Sequence, residues 1–347
     1  MRAVENDGAP IDAAFRRAMD ECVACRGCEA ACPSAVPFGR LMEDTRAALP
    51  PDPSRGRRVA GWFAYRLVLP RHWLLLAVTW LAWLGQRCHL VPKRLGLPEL
   101  SAPSLQRPLD VPAGGAPDAW LFTGCVMDAW LRDTHRAAAR VMTAVGARVA
   151  RPGPGGDCCG ALHLHAGRAG EARRLARRVI ASMPGDAPVV VDSAGCGAAM
   201  KEYGDLLGTP DARAFSARVQ DFTEWLARRP PPRTADTGTT VVIQDPCHLR
   251  HVQHAHGNVR AVLAPAFHIV ETADEGLCCG AGGAYALTQP ALSERILERK
   301  VAALRAAAGA ASGPFLVASA NPGCMLQLRR AGIDARHPAD LLAEALE

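Results

Sequence analysis

Four short apolar runs punctuate the second two-thirds of the chain: Ala119-Trp-Leu-Phe-Thr123, Pro188-Val-Val-Val-Asp192, Thr240-Val-Val-Ile-Gln244 and Pro314-Phe-Leu-Val-Ala318. Each reads as a strand. Between them, residues 128–145, closed by Gly146, and residues 171–181 carry apolar positions at helical spacing. Strands alternating with helices predict parallel βαβ units, in which ligands gather beyond the carboxyl ends of the strands. The expected class is therefore α/β for this part of the chain.

The first third follows a different pattern. Residues 49–56 and 102–117 are rich in Pro and Gly and read as breaks, and the piece between them looks helical. It contains the one run that resembles a membrane segment, Trp73-Leu-Leu-Leu-Ala-Val-Thr-Trp-Leu-Ala-Trp-Leu84. Twelve residues fall short of the roughly 20 needed to span a bilayer, and Pro70, Arg71 and His72 block its extension backwards. A helix packed between domains is expected here; Trp73, Trp80 and Trp83 at a lipid interface is the alternative. Residues 231–238 form a last flexible join. The divisions are 1–50, 51–115, 116–235 and 236–347: a small helical ferredoxin-like domain, a basic helical linker region and two α/β cysteine-rich domains.

Cysteine spacing carries the chemistry. Cys22, Cys25, Cys28 and Cys32, followed by Pro33, stand as C-x-x-C-x-x-C-x-x-x-C-P. This is the bacterial ferredoxin spacing for a 4Fe-4S cluster, whereas zinc usually takes two C-x-x-C pairs set further apart. Eight more cysteines fall into two sets of the same order, Cys125, Cys158, Cys159, Cys196 and Cys247, Cys278, Cys279, Cys324. The intervals are 33 and 37 residues in the first set and 31 and 45 in the second, with the strand-like runs before the first and last cysteine of each. The chain contains an internal duplication. Thirteen cysteines without a basic-apolar-small opening segment suit metal chemistry in the reducing cytoplasm better than disulfides. Adjacent sulfurs can bridge neighbouring irons, Gly160 and Gly280 let the backbone approach closely, and N–H groups of the Gly280-Ala-Gly282-Gly283 loop can reach cluster sulfur. A buried cysteine that is merely a small apolar residue is the bland alternative.

Several motifs in order resemble the glycolate oxidase iron-sulfur subunit family: Gly124-Cys125-Val-Met, Cys158-Cys-Gly-Ala-Leu-His, Ala194-Gly-Cys196-Gly with Lys201-Glu-Tyr-Gly204, Asp245-Pro-Cys-His-Leu-Arg250, Cys278-Cys-Gly-Ala-Gly-Gly-Ala-Tyr285 and Asn321-Pro-Gly-Cys324. The likeness runs from about Asp20 to the C-terminus. More distant relatives include lactate-utilisation proteins and subunits of anaerobic glycerol-3-phosphate dehydrogenase and heterodisulfide reductase. The resemblance implies the iron-sulfur electron-transfer subunit of a flavin-dependent 2-hydroxy acid dehydrogenase complex, most like glycolate oxidase and not itself active on the acid, with further clusters in the CCG domains. Two departures stand out. The family generally has two ferredoxin motifs, and this chain shows the copy that resembles the second. As the fourth cysteine of each motif serves the other cluster, either the start of the protein is missing, or Cys32 closes a rearranged cluster, or Cys88 supplies a ligand, unless Cys88 is a plain buried thiol. Ser193 and Asn321 also stand where the heterodisulfide reductase branch has a further cysteine, so each set offers four thiolates rather than five.

Charge and absences complete the picture. The net charge is +6, and from Arg46 to Arg107 ten Lys and Arg face only Asp52 and Glu99, as if this section met an acidic partner or a membrane surface. His163, His165, His248 and His251 follow the cysteine motifs and are expected around a site rather than on iron, while His254 and His256 read as solvated. There is no G-x-G-x-x-G after a strand, no P-loop and no G-x-S-x-G, so neither nucleotide nor acyl chemistry is indicated, and no nucleic-acid partner is expected. The expected function is electron transfer from a separate FAD-containing dehydrogenase subunit to a quinone or other acceptor. The alternative is a self-contained heterodisulfide- or quinone-reductase-like protein. The expected place is the cytoplasm, or peripherally the inner face of the membrane.

Overall fold

The computed structural model describes residues 1, 4, 8–51, 54–90, 100, 109–274, 276–309 and 315–347. Lys93, Arg94, Glu99 and Arg107 of the basic section, Asp52, residues 102–108 of the 102–117 break and Pro314 lie outside the described residues. The N-terminal part is helical: α1 (Ala13–Asp20), the single turn α2 (Gly27–Ala30), α3 (Phe38–Ala48), α4 (Arg55–Trp62) running into a π-helical turn (Phe63–Val68), and α5 (His72–Arg87). Side-chain oxygens start two of these, Asp12 accepting from the Phe15 amide and Ser54 from the Arg57 amide, which satisfies N–H groups with no partner inside the helix.

The first repeat runs β1 (Ala119–Phe122), α6 (Val126–Trp130), α7 (Arg132–Ala144), β2 (Val149–Ala150), α8 (Ala161–His165), α9 (Ala169–Ser182), β3 (Val189–Val191), α10 (Ala194–Lys201), α11 (Tyr203–Leu207), α12 (Pro210–Arg218), β4 (Val219–Asp221) and α13 (Phe222–Ala227). The helix expected over 128–145 is broken in two at Leu131, where ψ turns to 35°. The second repeat comprises β5 (Thr240–Ile243), a π-helical turn (His248–Val252), α14 (Gly257–Leu263), β6 (His268–Val270), α15 (Tyr285–Thr288), α16 (Pro290–Gly309), β7 (Phe315–Ala318), α17 (Pro322–Arg330), β8 (Ala335–Arg336) and α18 (Pro338–Ala345).

Two four-stranded parallel sheets result, in the orders β2-β1-β3-β4 and β6-β5-β7-β8. The strand order is the same in both, as duplication requires. Successive side chains of a strand point to opposite faces, and both faces here are covered. Ala119 and Leu121 face a core shared by the repeats, with Val241, Ile243 and Leu341, while Trp120 and Phe122 face the first repeat's own core with Val179 and Phe215. Val242 lies with Leu297 and Val317 in a third cluster. The shared core joins the two repeats, α18 of the second lying along α7 of the first.

Residues 73–84 form most of α5, but not a helix enclosed between domains. One side packs Leu75, with Leu74 and Leu76 beside it, on Cys125, Ala129 and Cys158. The other is open, with Trp73 68% and Leu81 69% exposed. Sixteen residues with both apolar and solvent-facing sides bury only what one neighbour can cover.

Candidate metal centre

In the first repeat β1 leads to Cys125, which opens α6, and β3 leads to Cys196 in the first turn of α10. Cys158 and Cys159 come from the loop before α8. The sulfurs stand in pairs, Cys125 with Cys158 and Cys159 with Cys196. Contact with its paired thiol, followed by burial, pushes Cys125 well above the ordinary thiol pKa, and Cys196 with burial does the same to Cys159.

The second repeat copies this arrangement. Cys247 pairs with Cys278, and Cys279 Sγ lies 2.9 Å from Cys324 Sγ in the first turn of α17. Cys278 and burial raise Cys247. The Cys278 hydrogen bond pulls Cys279 down, but Cys324 and burial outweigh it. Cys196 and Cys324 both sit in the first turn of their helices. Ser193 and Asn321 are the residues preceding α10 and α17. Asn321 Nδ2 donates to Cys324 Sγ over 3.4 Å, the Gly195 amide donates to Asn321 Oδ1 over 3.1 Å, and the Ala194 amide donates to the Ala320 carbonyl. The two cysteine-bearing turns are thus tied to each other.

Protein stands close to the glycines of both CCG turns. Gly160 and Gly280 share a φ of +84°, and a Cβ on Gly280 would stand 2.6 Å from the Ser293 carbonyl oxygen. At Gly282 it would meet Val23 and Tyr285, and at Gly283 Leu162 of the other repeat. What approaches these backbones closely is protein, namely a following helix, the N-terminal cysteine loop and the companion repeat. One amide does point at sulfur, that of Gly280 toward Cys278 Sγ at 3.4 Å.

Cys22, Cys25 and Cys28 lie on a tight loop wound by two residues of positive φ, Ala24 and Arg26. The Ala24 amide donates to Cys22 Sγ. Arg46 fastens the loop to the first repeat, donating to the Cys22 and His165 carbonyls at 2.6 and 3.0 Å. Arg26 reaches Glu29 and Glu202 at 2.6 Å each. On the opposite side Tyr285 Oη donates to the Glu21 carbonyl at 2.8 Å. Burial, then the nearby Cys247 and Cys22, raises the Cys25 thiol, so the loop faces the second cysteine set. Cys32 faces elsewhere: amides of Val36 and Ser34 hold its sulfur and lower its pKa. Cys88 is exposed at the end of α5 and is not a buried thiol.

Sequence reasoning did not find the residues that hold the site. Tyr203 Oη donates to the Cys159 carbonyl at 2.7 Å, and His135 Nδ1 lies 2.6 Å from Asp192 Oδ2 in full burial. His163 is buried and bonds the Tyr65 carbonyl, not sulfur. His248 Nδ1 comes 3.4 Å from Cys247 Sγ, and burial drives its pKa down to about 3, so it stays neutral. His251 packs on Gly27, beside Cys25. A cavity of about 570 Å³ reaches Cys22 and is walled by Arg46, Trp62, Tyr65, Arg168 and Tyr285.

This donor set fits a thiophilic metal centre: buried sulfurs that hold one another's protons would exchange them for metal charge. Among the described residues no three His, Cys, Asp or Glu side chains are gathered tightly enough for a single ion. The signature of the CCG cysteine-rich domain matches residues 119–201 and 241–329, one copy per sheet. The lactate utilization protein A of Shouchella clausii is 24% identical over 245 residues, covering 64% of this chain and 97% of that protein. The glycolate oxidase iron-sulfur subunit of Escherichia coli is 31% identical, covering 98% of this chain and 85% of that protein. A probable glycolate oxidase iron-sulfur subunit of Bacillus subtilis is likewise 31% identical, covering 99% of this chain and 86% of its own length. With this likeness over nearly its whole length and both cysteine-rich copies in place, the chain belongs to the glycolate oxidase iron-sulfur subunit family.

Proposed function

We propose that the protein carries iron-sulfur clusters and is the electron-transferring subunit of a flavin-dependent 2-hydroxy acid dehydrogenase. It takes electrons from a separate FAD-containing subunit and passes them, on the cytoplasmic side, to a quinone or another acceptor. The observation that carries this reading is the meeting of two sulfur sets, Cys25 standing within electrostatic reach of Cys247. Cys22, Cys25 and Cys28 would hold a 4Fe-4S cluster and the two CCG sets further iron-sulfur centres. Bound there, a cluster supplies a one-electron acceptor. Cys32, facing away, is assigned to a companion centre.

The chain's own side chains hold this arrangement. Arg46 and Tyr285 fix the first loop between the repeats, and Tyr203 fixes the Cys158-Cys159 turn. His248, kept neutral, adds no positive charge beside Cys247. Residues 1–50 are assigned to electron entry, 51–115 to docking, and 116–235 and 236–347 to onward transfer. Co-purified anaerobically with its flavoprotein, the chain should contain iron and acid-labile sulfide and show a reduced-cluster EPR signal on adding glycolate. Iron-free protein that supports full turnover would overturn the reading.

A further inference from the structure

Helices α4 and α5, joined through the π-helical turn between them, present two unlike sides. The inner face sets Val68 and Leu75 on Cys125, Ala129 and Cys158. It is pinned there by His72 Nε2, 2.6 Å from Asp128 Oδ2, and by Trp130 Nε1 donating to Thr79 Oγ1 at 3.1 Å. The solvent side carries Trp62 47%, Phe63 48%, Trp73 68%, Leu81 69% and Leu84 52% exposed. Large apolar side chains concentrated on one short segment mark an interaction surface.

Charge identifies what the surface meets. Between residues 55 and 87 there are six arginines, Arg55, Arg57, Arg58, Arg66, Arg71 and Arg87, all exposed, and no Asp or Glu. We infer that this face docks the protein, lying flat, on an anionic lipid surface. Tryptophan, Phe and Leu settle at the boundary of headgroups and acyl chains while arginines reach the lipid phosphates. Arginine as the one sign of charge, beside exposed Trp, Phe and Leu, is the composition of segments that lie on a membrane surface. No helix among the described residues is long and apolar enough to cross a membrane, so the face lies on the bilayer. Trp62 also walls the cavity that reaches Cys22. On the electron-transfer reading above, docking sets that cavity beside the membrane, where lipid-soluble acceptors reside.

The test uses the full chain and sedimenting vesicles, either pure phosphatidylcholine or phosphatidylcholine with phosphatidylglycerol. It needs neither clusters nor glycolate, so its outcome is independent of the proposed function. Binding should be confined to the phosphatidylglycerol vesicles, weaken with salt and blue-shift the tryptophan fluorescence. Trp73→Ser with Leu81→Ser should weaken it by on the order of tenfold or more, as two solvent-facing apolar groups are removed. Arg55→Gln with Arg87→Gln should weaken it mainly at low salt. Three results would overturn the inference: no binding at low salt, binding indifferent to the Trp73 and Leu81 changes, or loss of flavoprotein co-purification in those variants without any vesicle binding by the parent. The last would make the face a protein interface.

Discussion

Asn321 and Gly195 belong to different repeats, yet the Gly195 amide donates to Asn321 Oδ1 over 3.1 Å just where each repeat presents its last cysteine. The Asn321 amide group turns its nitrogen to Cys324 Sγ. A single side chain thus satisfies an otherwise free helix N–H in one half and contacts a sulfur in the other.

Replacing this residue should be felt in both halves. Asn321→Ala leaves the Gly195 amide without its acceptor, at a cost of about 1–3 kcal/mol for a group withdrawn from water. Thermal unfolding should shift downward by several degrees. Asn321→Asp, which keeps the acceptor but sets a negative charge beside Cys324, should retain the interdomain bond and still lower metal occupancy, as read by metal analysis.

Gly280 should tolerate no side chain. Its φ of +84° and the 2.6 Å approach to the Ser293 oxygen mean that Gly280→Ala adds about 1–2 kcal/mol of left-handed strain to a backbone collision. Gly257→Ala, where nothing lies within 4 Å of the added carbon, serves as the control and should leave unfolding almost unchanged. Chemical denaturation of the two variants makes the comparison.

Asp128 should govern the acid limb of stability. Burial alone would raise its carboxyl, but hydrogen bonds from His72 and Arg132 hold it well below the usual carboxylate range. A depressed folded pKa gives stability that is fully present above about pH 4 and lost as pH falls further. Asp128→Asn should therefore cost stability at pH 7 and flatten the pH dependence below 4. Because Asp128 anchors His72 of α5, proteolysis within residues 55–87 should also quicken in that variant, measured by mass spectrometry of the fragments.

The two kinds of sulfur site should separate by mutation. Cys25→Ser should remove roughly four irons, the content of one ferredoxin-type cluster. Cys279→Ala should empty the second CCG set and stop delivery to the acceptor, while the flavoprotein partner still reduces the remaining ferredoxin-type signal in EPR. Full metal content in Cys279→Ala would make that cysteine a core residue, worth about 1 kcal/mol.

Much of this protein was legible along the chain. The runs at residues 119–123, 188–192, 240–244 and 314–318 marked strands of both repeats, because a strand announces itself locally by its apolar, β-branched content. The cysteine order announced the duplication, since a copied unit keeps its motifs in the same succession at similar intervals. Contacts between distant segments left no such trace. Nothing in the sequence placed Cys25 beside Cys247 or joined Gly195 to Asn321, since each depends on how two separately folded pieces dock. Gly282 and Gly283 read as a loop free to cradle a cofactor, and only the packing showed Val23 and Leu162 in the space a side chain would fill. Residues 73–84 read as a helix packed between domains, with a lipid interface as the alternative, because a continuous apolar run records hydrophobicity and not which side a neighbour covers. That was decided by the first repeat, which takes Leu75 into its core and leaves Trp73 and Leu81 in solvent.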